Sequence, residues 1–82
     1  MLPVCFRFDG DFLVHYMSVD PDATVADICA AAQEYVAGFR VPERAGALQL
    51  TFAGEVQPPD RLARDAGIGA MDYVQVDVVS AA

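Results

Sequence analysis

Residues 2–19 read Leu2-Pro3-Val4-Cys5-Phe6-Arg7-Phe8-Asp9-Gly10-Asp11-Phe12-Leu13-Val14-His15-Tyr16-Met17-Ser18-Val19. Leu2, Val4, Phe6 and Phe8 recur at period two, which sets them on one side of a strand with Pro3, Cys5 and Arg7 on the other. Asp9-Gly10-Asp11 is a turn signal, because glycine supplies the positive φ that a tight hairpin needs. A second strand is expected from Phe12 to Val19. Both of its alternating sets, Phe12/Val14/Tyr16 and Leu13/His15/Met17/Val19, are largely apolar, whereas a strand at a solvated edge shows one polar face.

Working outward from this hairpin, Asp20-Pro21-Asp22 stops the strand, and Thr24 with Asp27 three residues later forms a capping-box signal for a helix running to about Ala37. Val25, Ile28, Ala32, Tyr35 or Val36, and Phe39 fall at the spacings of one buried stripe, and Gly38 reads as its C-terminal cap. Residues 39–46 read as a loop. A third strand is expected at Ala47–Ala53, with Leu48, Leu50 and Phe52 facing inward. Gly54-Glu55 is a turn, Val56-Gln57 a very short strand, and Pro58-Pro59-Asp60 ends any ladder. Leu62 is expected to plug the core from a helical turn at about 60–64, and Gly67-Ile68-Gly69 to form a loop. Tyr73–Val79 is a strand in which Val74, Val76 and Val78 alternate with Tyr73, Gln75, Asp77 and Val79. The implied architecture is α+β, a mixed sheet of four to five strands rolled over one helix, with the first and last strands adjacent and parallel.

Length and charge bound the function. Eighty-two residues make one domain, residues 1–82, with no second lobe to enclose a substrate. Twelve acidic residues against five arginines give a formal charge of −7, which disfavours nucleic acid and anionic membrane surfaces as partners. At 55% hydrophobic residues the chain folds rather than remaining disordered. No apolar leader or membrane span is seen, and a cytoplasmic chain is expected. Cys5 and Cys29 lie in separate elements without the spacing of a disulfide framework or zinc site, and read as small buried hydrophobes.

Catalytic patterns are missing. His15 is the sole histidine and reads as a packed or surface residue, without partners for a triad. Asp9/Asp11 and Asp20/Asp22 flank Gly or Pro and are explained by turns. Gly67-Ile68-Gly69 does not open a helix after a strand, so it is no phosphate cradle. No cofactor and no metal is expected. The excess apolar surface of the hairpin therefore asks for a protein partner, with Phe12, Val14 and Tyr16 or the opposite set as its outward face. Arg40 and Arg44, beside Phe39 and Val41, suit the polar rim of such a contact.

Two resemblances sharpen this. Leu50-Thr51-Phe52-Ala53-Gly54-Glu55 resembles a segment of ubiquitin, and Val19-Asp20-Pro21 through Thr24-Val25 is similar to its entry into the helix, which implies a ubiquitin-like β-grasp fold. Ubiquitin's own chemistry is not expected: the sequence ends Ser80-Ala81-Ala82 without paired glycines, contains no lysine, and carries Thr51 and Asp77 where ubiquitin has an apolar patch. Covalent conjugation is therefore not expected, nor is a sulfur-carrier role. Pro3-Val4, Asp11-Phe12-Leu13-Val14, Val19-Asp20, Tyr35, Arg40-Val41 and Arg44-Ala45-Gly46 resemble the small subunit, protein B or γ, of toluene and related aromatic or alkene monooxygenases. That resemblance implies a non-catalytic subunit seated on the large hydroxylase chain, which holds a carboxylate-bridged di-iron centre and receives electrons from a separate ferredoxin and reductase. This sequence has none of the Glu-x-x-His helices that build such a centre. The alternative is a stand-alone bacterial ubiquitin-like interaction module.

Overall fold

The computed structural model describes residues 2–36 and 47–79. The strands are β1 (Leu2–Phe8), β2 (His15–Val19), β3 (Ala47–Phe52), β4 (Glu55–Gln57) and β5 (Tyr73–Val79), and the helices are α1 (Val25–Val36) and α2 (Ala63–Ala66). The expected loop at 39–46, the Gly38 cap and the Phe39 end of the helix stripe lie outside the described residues.

The strands form one sheet in the order β2-β1-β5-β3-β4. β1 pairs antiparallel with β2 and parallel with β5, and β5 pairs antiparallel with β3. The first and last strands are thus neighbours at the centre, as the alternation of their valines and phenylalanines requires if both are to face one helix. Phe8, Val76 and Leu50 stand in register across three strands, so their side chains share the inner face. With Val4, Phe6 and Val74 they meet the helix stripe of Val25, Ile28, Cys29, Ala32 and Val36, all buried.

The capping box forms as the spacing requires. Asp27 N–H donates to Thr24 Oγ1 at 3.1 Å, and Thr24 N–H donates to Asp27 Oδ2 at 3.2 Å. Of the two candidates for the helix stripe, Val36 is buried and Tyr35 lies on the exposed side.

Two elements differ from the sequence reading. The second strand begins at His15 rather than Phe12, because the turn signal at Asp9-Gly10-Asp11 is followed by a further looped segment. Asp11 N–H does close on Phe8 C=O at 2.9 Å with Gly10 at φ +88°. The Asp11 carboxylate then captures the Leu13 N–H at 3.0 Å, holding the backbone of residues 12–14 away from a ladder. The second difference is the expected helical turn at 60–64, which falls instead at Ala63–Ala66. Leu62 is extended and bridges to Thr24, so it is only partly buried, and Ala63 and Ile68 fill the core there. Gly67 at φ +85° ends α2, its N–H returning to the carbonyls of Ala63 and Arg64. That left-handed step turns Ile68 inward from what the sequence presented as a loop.

Candidate functional site

Cross-strand partners share a face, so the ladder fixes what the outer side of the sheet displays. Cys5 pairs with Tyr16 on one side and Tyr73 on the other, giving a row Tyr16-Cys5-Tyr73 across β2, β1 and β5. Arg7, Gln75 and Thr51 form the next row, and Gln49 with Asp77 the one beyond. The face is therefore divided. Its β2 side carries aromatic and apolar groups; its middle, along β5 and β3, is polar, with the exposed Val56 and Val79 beyond it.

Along β5 the polar side chains pair with one another. Tyr73 Oη donates to Gln75 Oε1 at 2.8 Å, and Gln75 Nε2 donates to Asp77 Oδ1 at 3.1 Å, so a hydrogen-bonded ladder runs along β5. Covering them would desolvate groups already paired with one another, at a cost that new contacts would have to offset.

The β2 side is open. Phe12 is 81% exposed and Tyr16 59%, with Val14 and Leu13 also exposed beside them. Met17 and Val19 turn inward against the core, so the outward set of β2 is the one containing Tyr16. Leu13 departs from its alternation set, because residues 12–14 are looped and all three side chains project. Four exposed large apolar side chains within residues 12–16 exceed the scattered exposure that surfaces ordinarily carry. Arg40 and Arg44 lie outside the described residues.

The sequence reading missed two residues here. Tyr73 alternates with the valines of its strand, but its place opposite Cys5 depends on the parallel pairing of β1 with β5. Met71 is exposed at φ +65°, a left-handed conformation unusual for a side chain of this kind. Its N–H donates to Pro3 C=O at 2.7 Å, and its C=O accepts a weak bond from Cys5 Sγ at 3.6 Å, which ties it to the β1 end of this face. No sequence pattern announces either placement.

His15 has a partner that local spacing did not reveal. Its Nε2 lies 2.8 Å from Asp11 Oδ2, and its ring packs 5.4 Å from Phe6 and 5.5 Å from Tyr35. Asp11 is only 3% exposed. The pair lies between the looped segment and the core, and the contacts described for it join an imidazole, a carboxylate and two aromatic rings. Cys29 faces an apolar groove of about 390 Å³ that Val25, Leu48, Leu50, Val56 and Val79 also line. Burial pushes its thiol up from the usual 9.0 to about 11, which keeps it protonated and unreactive at neutral pH. Among the described residues no three His, Cys, Asp or Glu side chains gather as a metal would require, and no helix is long and apolar enough to cross a membrane.

Comparison with solved structures places the fold. A chain of the "Toluene 4 monooxygenase HD Complex with Inhibitor 4-Bromobenzoate" superposes with a TM-score of 0.89 at 22% identity, covering 95% of this chain and 98% of that one. The UBL domain of Plasmodium falciparum Dsk2 matches with a TM-score of 0.75 at 19% identity, over 95% of this chain and 97% of that one. Caldiarchaeum subterraneum ubiquitin matches with a TM-score of 0.73 at 15% identity, over 96% and 94%. The fold is thus the ubiquitin-like β-grasp that the sequence implied. No curated protein matches the sequence at a significant level. The family model for toluene-4-monooxygenase system protein B (TmoB), however, matches residues 1–78, nearly the whole chain, and this chain accordingly belongs to that family of small monooxygenase components.

Proposed function

We propose that this chain is a non-catalytic subunit that docks on the large hydroxylase chain of a multicomponent aromatic or alkene monooxygenase, burying Phe12, Val14 and Tyr16 against it. The observation that carries this reading is the exposure of Phe12, Leu13, Val14 and Tyr16 at the β2 edge of the sheet, beside polar side chains of β5 that pair with one another. Family membership supports a monooxygenase system as the setting. A structural neighbour of nearly equal length in a toluene monooxygenase complex supports a chain of this size acting as a component. Arg40 and Arg44 are proposed as the polar rim, where charges set registry and encounter rate more than affinity. The chain contributes buried area and assembly, while bond-making chemistry belongs to its partner.

Co-expression with the large hydroxylase chain tests this. The wild type should co-purify in stoichiometric amount, and Phe12→Asp or Tyr16→Asp should weaken association at least tenfold, since a charge would be buried without a partner. Both variants should melt close to the wild type, because neither side chain packs in the core. A protein that purifies as a monomer beside an intact hydroxylase would overturn the proposal. Partner binding that survives these substitutions and is lost on changing Thr51 or Asp77 would favour the stand-alone interaction module instead.

A further inference from the structure

The looped segment 12–14 poses a physical problem. Three consecutive large apolar side chains are exposed, Phe12 most fully, so they hold the segment only weakly, and a loosely held loop would lose conformational entropy on docking that weakens association. Further order comes from the polar groups beneath. Asp11 is their centre. Its Oδ1 accepts the Leu13 N–H at 3.0 Å, its Oδ2 meets His15 Nε2 at 2.8 Å, and its own backbone C=O accepts from Arg7 Nε at 3.0 Å. A carboxylate only accepts, so the imidazole presents its Nε2 proton to it. One buried carboxylate therefore ties the middle of the segment to its far end, where His15 enters β2 opposite Phe6. His15 is held in turn by the rings of Phe6 and Tyr35, which anchors the tie to the first strand and the helix.

We infer that Asp11 and His15 are positioning residues for the docking surface: their contact pre-shapes the Phe12–Val14 loop for the large hydroxylase chain. This rests on the docking reading above and adds a division of labour to it. The exposed side chains supply contact area, and the dyad beneath supplies rigidity, so loop order and loop contact can be separated by mutation.

The experiment uses the full chain co-expressed with the large hydroxylase chain, and measures both association and amide hydrogen exchange of the free chain. Four variants are compared: Asp11→Ala, His15→Leu, His15→Gln and Phe12→Asp. Asp11→Ala should speed exchange at the Leu13 amide and weaken association, each at least tenfold, while exchange in β5 changes little. His15→Leu fills the space but donates nothing, and should weaken association similarly. His15→Gln can offer its amide N–H to Asp11 and should restore association to within about threefold of the wild type. Phe12→Asp should abolish association while leaving Leu13 exchange as it was. If Asp11→Ala and His15→Leu bind like the wild type while Phe12→Asp does not, the positioning role is overturned and the docking reading stands. If Phe12→Asp also binds like the wild type, the docking reading itself falls. Should Asp11→Ala fail to fold, the contrast between His15→Leu and His15→Gln decides the matter alone: equal binding by the two refutes the inference.

Discussion

Cys29 is a thiol whose environment forbids its chemistry. It sits on the buried stripe of α1, and burial raises its pKa to about 11 from the usual 9.0 because the thiolate loses its hydration. The unfolded chain ionises this group as pH rises through 9.0, and the folded chain resists until about 11. The thiol's contribution to stability is therefore fully present below 9.0 and is lost as pH climbs through that window. Denaturant midpoints measured across it should fall more steeply for the wild type than for Cys29→Ala, which has no thiol to ionise. Equal slopes would show that the thiol is already solvated in the native state. His15 and Asp11 illustrate the opposite case, in which two polar residues that look unremarkable in sequence become partners because a strand begins three residues later than alternation implies.

Among the elements, α1 is the one whose start is written most fully in its own residues. Thr24 and Asp27 satisfy each other's N–H groups reciprocally, and the Asp27 carboxylate lies at the positive end of the helix dipole. Thr24→Ala should cost about 1 kcal/mol, read as a lowered urea midpoint at unchanged slope. β1 is extended past its end in a similar local way: Asp9 N–H donates to Val76 C=O at 2.8 Å, and Asp9 Oδ2 accepts the Val78 N–H at 3.2 Å. A side chain thus continues the ladder where the backbone turns away. The same economy explains α2. A four-residue helix has little intrinsic stability, and it persists because Gly67 caps it and Ala63 N–H donates to Ala23 C=O at 2.8 Å, docking it on the entry to α1.

For the whole molecule, stability depends on the row where three strands meet the helix. Leu50, Val76 and Phe8 share that row in register, and Leu50 is fully buried. Leu50→Ala should destabilise the chain by about 2–5 kcal/mol through lost burial and the cavity left behind, a large part of what a domain of this size possesses. Calorimetry should show one transition moved to lower temperature; an unchanged midpoint would mean that the core is not shared across the sheet. The residues themselves wrote the alternation of the strands, the stripe and cap of the helix, the apolar surplus of residues 12–16 and the resemblances that led to the family, because these depend on periods of two and 3.6 and on short motifs. Only the tertiary structure decided that Tyr16 and Tyr73 flank Cys5, that Met71 joins them, that Ile68 rather than Leu62 completes the core, and that a buried carboxylate holds the exposed loop. Those facts follow from strand register, where a shift of one residue in pairing would have turned Tyr16 or Tyr73 to the other face, and from side chains meeting across chain separations that no local pattern encodes.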